Sequence, residues 1–135
     1  MKHLFCFFLT FALVALANIS DANAQQVNAK IQEVYGDKTQ EIVQNDPERI
    51  KVLNDLLDNR IKIVESPIVG EDKYPKLSSV PLANKYNPNL QRDLVFDPNN
   101  FNPLKYNMNF FTPTVQIYRV DNTDYIIVIN TQNTK

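Results

Sequence analysis

Asp46-Pro47-Glu48-Arg49-Ile50-Lys51-Val52-Leu53-Asn54-Asp55-Leu56-Leu57-Asp58-Asn59-Arg60-Ile61-Lys62-Ile63-Val64-Glu65 is the stretch on which the fold turns. Asp46 can cap a helix through its carboxylate. Pro47 suits the first helical position, where its missing N–H costs nothing, and Glu48 complements the helix dipole. Ile50, Leu53, Leu56, Leu57 and Ile61 recur at helical spacing on one face, while Lys51, Asn54, Asp55 and Asp58 fall elsewhere. Those polar positions read as the solvated face of a packed helix, not as a site. Asn59 tolerates left-handed backbone and marks the expected helix end, which gives a helix over residues 47–59. The chain then runs directly into Ile61-Lys62-Ile63-Val64-Glu65, a β-rich run. A helix feeding straight into a strand points to an α+β fold.

The C-terminal end supplies more of the sheet. Residues 114–120 alternate and are β-rich, Asp121-Asn122-Thr123-Asp124 carries turn chemistry, and Tyr125-Ile126-Ile127-Val128-Ile129 returns. The unbroken apolar character of residues 125–129 predicts burial on both faces, hence a central strand. Residues 130–135 are polar and read as a frayed end.

Toward the N-terminus, Val27, Ile31 and Val34 keep helical spacing until Gly36-Asp37 breaks it. Ile42 and Val43 are too few to define a further element. Residues 25–45 therefore read as one short amphipathic helix, with a mobile N-terminal arm as the competing reading. The expected fold is α+β: one or two N-terminal helices on a small, mainly antiparallel sheet closed by a C-terminal β-hairpin.

Between these parts, Pro67, Pro75, Pro81, Pro88, Pro98, Pro103 and Pro113 exclude a long helix, since each proline removes a donor and constrains its predecessor. Ile68, Val69, Tyr74, Leu77, Val80, Leu82, Tyr86, Leu90, Leu94, Val95 and Phe96 are too apolar for a floppy linker. The segment reads as a Pro/Asn-rich extended wrap over the core, with short strands near residues 93–96 and 105–111.

Residues 1–24 read as a secretory signal peptide. Lys2 gives the positive start, residues 4–17 form an apolar core broken only by Thr10, and Ala22-Asn23-Ala24 is a small-residue cleavage site. Ala15-Leu16-Ala17 offers a second site. The apolar run is shorter than the roughly 20 residues of a membrane-spanning helix. The reading is therefore a leader followed by a single small exported domain, residues 25–135, in the periplasm or outside the cell.

Removal of the leader takes away Cys6 and His3, the sole cysteine and histidine among 135 residues. A mature chain without either has no Ser-His-Asp triad, no Cys-His dyad, and no zinc or haem site built on imidazole or thiolate. Two glycines, Gly36 and Gly70, exclude a Gly-rich phosphate loop. Fourteen basic against 15 acidic residues give a net charge of −1, which argues against a nucleic-acid partner. No cofactor is expected.

Some chemistry survives these exclusions. A carboxylate pair for glycan hydrolysis could be drawn from Glu65 with Glu71 or Asp72, or from Asp93 with Asp97. Ser78 or Ser79 with Lys76 or Lys85 could form a Ser–Lys arrangement, although no Ser-x-x-Lys spacing occurs. Asp97-Pro98-Asn99-Asn100-Phe101-Asn102 and Asp121-Asn122-Thr123-Asp124 are oxygen-rich enough for calcium, yet turns built on Asp and Asn explain both without metal. No catalytic or metal-binding residues are assigned. The candidate binding surface is aromatic: Tyr74, Tyr86, Phe101, Tyr106, Phe110 and Phe111 stand among Asn and Pro, where rings and amides can stack on a sugar or grip a protein. The expected role is non-enzymatic binding or assembly, with another envelope protein or a glycan as partner. A carboxylate-based glycan hydrolase and an accessory subunit of an envelope complex are the alternatives.

Overall fold

A computed structural model describes residues 27–67 and 73–132. The leader reading, Ile68, Val69, Glu71, Asp72 and residues 133–135 lie outside the described residues. The fold is α+β. Three helices, α1 (Ala29–Tyr35), α2 (Thr39–Asn45) and α3 (Pro47–Asp55), precede β1 (Ile61–Glu65), and β2 (Gln116–Arg119) and β3 (Tyr125–Ile129) form the C-terminal hairpin.

The start of α3 follows its sequence: the Asp46 carboxylate accepts the Arg49 backbone N–H at 3.2 Å, and Pro47 occupies the first turn. Its end does not. Residues Leu56–Arg60 form a wider π turn, closed by the Ile61 N–H donating to the Leu56 carbonyl. Asn59 keeps negative φ, since Asn122 is the one described non-glycine residue with positive φ. The widened turn leaves Leu56 and Arg60 buried and Leu57 only half-buried.

Residues 29–45 also hold more helix than expected. Ile31 is fully buried, so α1 packs into the core. α2 forms although Ile42 and Val43 are its only large apolar residues. Its register is held by Thr39, which is buried and donates its hydroxyl to the Gly36 carbonyl at 2.7 Å. Between α1 and α2 the chain turns at Gly36, whose φ of 51° and ψ of −130° suit glycine.

The sheet is antiparallel in the order β1-β3-β2, which makes β3 the central strand. Register places Ile63 opposite Ile127 opposite Tyr118, and Ile61 opposite Ile129. Alternation sends these side chains to one face, where Ile127 and Ile129 join Ile31, Ile50 and Leu56 at the centre of the core. On the other face Ile126 is also buried and Val128 half-buried. The hairpin turns through Asn122 at φ 55°, with the Val120 N–H donating to the Tyr125 carbonyl at 3.0 Å.

Residues 73–113 wrap this core with little regular structure, and the strands expected at 93–96 and 105–111 are absent. Leu94 and Val95 stand exposed to solvent. Pro103–Lys105 is a single 3-10 turn capped by the Asn102 side chain, and Tyr106 makes one isolated bridge with Leu82. The Met108 and Phe110 amides then donate to the carbonyls of Tyr106 and Met108, each two residues back, which folds the chain away from a ladder. Side chains tie the wrap down. Asn102 Nδ2 donates to the Lys30 carbonyl at 2.9 Å and to Glu33 Oε2 at 2.7 Å, and Asn87 Nδ2 donates to the Glu33 carbonyl at 2.8 Å. Among the described residues no helix is long and apolar enough to cross a membrane.

Candidate functional site

The wrap is bonded to α1 through Asn87 and Asn102 but leaves a gap beside α1 and α3. A groove of about 720 Å³ remains between these helices and residues 82–86 and 104–111. Its size falls in the range of small-ligand sites. Tyr35 and Arg49 come from the helices, Leu82, Lys85 and Tyr86 from the first arm of the wrap, and Tyr106, Met108, Phe110 and Phe111 from the second. The Leu82–Tyr106 bridge, with the Ala83 amide donating to the Lys105 carbonyl at 2.7 Å, holds the two arms together.

Four of the six expected aromatic residues meet here: Tyr86, Tyr106, Phe110 and Phe111. Tyr86 packs against Tyr35 with ring centres 5.2 Å apart, and Phe110 against Phe111 at 6.3 Å. Phe111 is 62% exposed, which is costly for a ring that serves only the core. The other two go elsewhere. Phe101 is buried, stacked on Tyr106 at 5.5 Å and tilted against Phe96 at 5.1 Å. Tyr74 is exposed and outside the groove. Phe101 does border a second, smaller depression of about 370 Å³, beside Leu94 and Asp121.

Polar groups share the groove wall with the rings, among them Asp46, Glu48, Arg49, Asn84, Lys85 and Asn107. Arg49 Nη2 donates to the Tyr35 hydroxyl at 3.2 Å while its guanidinium lies 5.4 Å from that ring. Partial burial works against its charge, but the Tyr35 hydroxyl and the fields of Tyr35, Tyr86 and Asp46 outweigh it and hold the proton more firmly than usual. Lys85 Nζ lies 5.1 Å from the Tyr86 ring. The Tyr106 hydroxyl is pushed up by burial, and also accepts the Asp93 backbone N–H at 3.3 Å.

The residues considered for catalysis or metal have other employment. Asp93 accepts from Lys105 at 2.6 Å and from the Tyr106 hydroxyl at 3.2 Å. Asp97 accepts the Asn99 amide at 2.9 Å and Asn100 Nδ2 at 2.5 Å; these bonds, the Asn99 amide first, hold its carboxyl below the usual range. Glu65 accepts the Tyr125 hydroxyl at 3.0 Å. Ser78 donates its hydroxyl to Asp121 at 2.6 Å, and Ser79 donates to the Lys76 carbonyl at 2.6 Å. Among the described residues no three His, Cys, Asp or Glu side chains gather as a metal site.

Sequence reasoning missed Tyr35 and Arg49. Tyr35 was within reach, because it follows Ile31 at i+4 on the apolar stripe of α1. Arg49 was not, because its role depends on Tyr35 folding against it from 14 residues away. In comparisons with protein families, with curated proteins and with solved structures, none matches the chain.

Proposed function

We propose that the protein is a non-enzymatic binding protein, exported to the periplasm or beyond the cell, whose ligand sits in the aromatic groove between α1, α3 and the wrap. One observation carries the reading. Tyr86, Tyr106, Phe110 and Phe111, spread over 26 positions of the chain, converge on one open groove, and Phe111 leaves most of its ring in solvent. The leader-like residues 1–24 support export. A hydrolase reading gains no comparable support, because Asp93 and Asp97 already serve as hydrogen-bond acceptors within the fold.

A fragment screen read by amide NMR tests the proposal. Neutral sugars, short peptides and small apolar compounds are titrated into the isotope-labelled protein. Hits whose shifts concentrate at residues 82–86 and 106–111 support a groove-based binding role. Hits that gather elsewhere, or turnover of a glycan by the purified protein, overturn it.

A further inference from the structure

Two cations line the groove, Arg49 and Lys85, each against an aromatic ring, and Arg60 lies outside the lining against the Phe111 ring. The Arg49 guanidinium lies 5.4 Å from the Tyr35 ring centre, Lys85 Nζ 5.1 Å from that of Tyr86, and the Arg60 guanidinium 5.8 Å from that of Phe111. Among the described residues no carboxylate lies within ion-pair distance of any of the three. Two acids, Asp46 and Glu48, also line the groove. Asp46 caps α3 and offsets Arg49 only at a distance, while Glu48 pairs with Lys51 at 2.6 Å.

Arg60 sharpens the imbalance. It is buried, its Nε donates to the Asn130 carbonyl at 3.1 Å and its Nη2 to the Phe110 carbonyl at 2.5 Å, and its Nη1 has no partner among the described residues. Neutral carbonyls and a ring face do not cancel a buried positive charge, so its field persists toward the neighbouring Phe110–Phe111 end of the groove. The Tyr35–Tyr86 pair, also on the groove wall, carries Arg49 and Lys85, one on each ring. A ring-lined trough with Arg49 and Lys85 on its wall and Arg60 behind Phe111, none of them in an ion pair among the described residues, is complementary to an anion with an apolar body.

We propose that the ligand of this groove is a small carboxylic acid with an apolar body. Its carboxylate sits between Arg49 and Lys85, and its body lies along Tyr86, Phe110 and Phe111. This rests on the groove being the binding site. It goes beyond that reading by fixing the ligand's charge and chemical class. The volume of about 720 Å³ suits a compact acid rather than a long polymer.

The test uses the full chain and three probes of equal chain length: octanoate, 1-octanol and octylammonium. Each is titrated at low ionic strength against amide NMR shifts and the thermal midpoint. Octanoate is expected to bind about tenfold more tightly than 1-octanol, with the advantage shrinking in high salt because exposed charges are screened. Lys85 is exposed, so Lys85→Met keeps the fold; it should lower octanoate affinity about threefold and leave 1-octanol unchanged. If 1-octanol binds the groove as tightly as octanoate, the binding role stands and the carboxylate proposal falls. Octylammonium binding more tightly than octanoate overturns it as well. So does a groove that responds to none of the three.

Discussion

The Lys105 ammonium, with only 7% of its side chain exposed, stands 2.6 Å from Asp93 Oδ1. Glu33 of α1 adds a second carboxylate at 3.7 Å. One buried cation thus joins the first helix to both arms of a segment that has almost no backbone ladder of its own.

The two partners are unequal, and their substitutions should differ. Asp93 is one-third exposed, so Lys105→Met leaves a carboxylate that water can reach. Asp93→Ala leaves a buried ammonium with the more distant Glu33 alone. Removing one partner of a buried pair costs about 3–5 kcal/mol; discounted for the exposure of Asp93, we expect about 2 kcal/mol for Asp93→Ala and about 1 kcal/mol for Lys105→Met. Urea unfolding of both variants checks the order.

Leu56 and Leu57 form a sharper comparison. Leu56 is fully buried and Leu57 half-buried. Truncating a buried Leu to Ala costs about 2–5 kcal/mol through lost transfer energy and the cavity left behind, so Leu56→Ala should cost about 3 kcal/mol and Leu57→Ala about 1. Asp55→Ala removes one exposed bond from Asn59 and should cost about 0.5 kcal/mol or less. The urea midpoints should fall in that order.

At Gly36 an added Cβ meets only Asn87 Cβ at 4.0 Å, so there is room for it. The backbone is the obstacle, with φ at 51° and ψ at −130°. Gly36→Ala is therefore expected to destabilise by about 1–2 kcal/mol from strain alone, read as a lower thermal midpoint without new exposed apolar surface.

Asp121 gives a pH dependence of known sign. Burial pushes its carboxyl up, but the Ser78 hydroxyl and amide, its own backbone N–H and the nearby Lys76 charge outweigh this and hold it below the usual value. The unfolded chain then binds the proton first. Its contribution is present above the unfolded value of about pH 3.9 and is lost as pH falls through the lowered folded value. The stability difference between the native chain and Asp121→Ala should be steady from pH 7 to 5 and shrink toward pH 2, as followed by urea unfolding across that range.

Much of this fold was legible in the sequence where the signal was local. Asp46-Pro47 announced α3, and the unbroken run at residues 125–129 announced the central strand. Two elements were lost because their cause is not periodicity. α2 has Ile42 and Val43 as its only large apolar residues and depends on buried Thr39. The π turn at Leu56–Arg60 leaves Arg60 bound to carbonyls 50 and 70 residues away. The strand expected at residues 105–111 fails because Pro103 starts a turn and the Met108 and Phe110 amides bond two residues back. Four of the six aromatic residues meet at the groove, but a sequence cannot say that Phe101 turns inward while Phe111 stays out.

Phe111 is where the account meets its most direct test. Phe111→Ser removes a largely exposed ring from the groove, and Leu94→Ser removes a fully exposed side chain outside it. Leu94→Ser should keep the native thermal midpoint closely, since substitutions at exposed sites usually shift stability by about 0.5 kcal/mol or less. Phe111→Ser also loses the ring against Arg60 and should cost about 1 kcal/mol, too little to unfold the domain. Their response to octanoate and to the fragment hits, read by amide NMR, should separate them. The account predicts that Phe111→Ser weakens these responses severalfold at residues 82–86 and 106–111, while Leu94→Ser leaves them intact. Undiminished binding in Phe111→Ser, or loss in Leu94→Ser instead, would contradict the groove as the functional site.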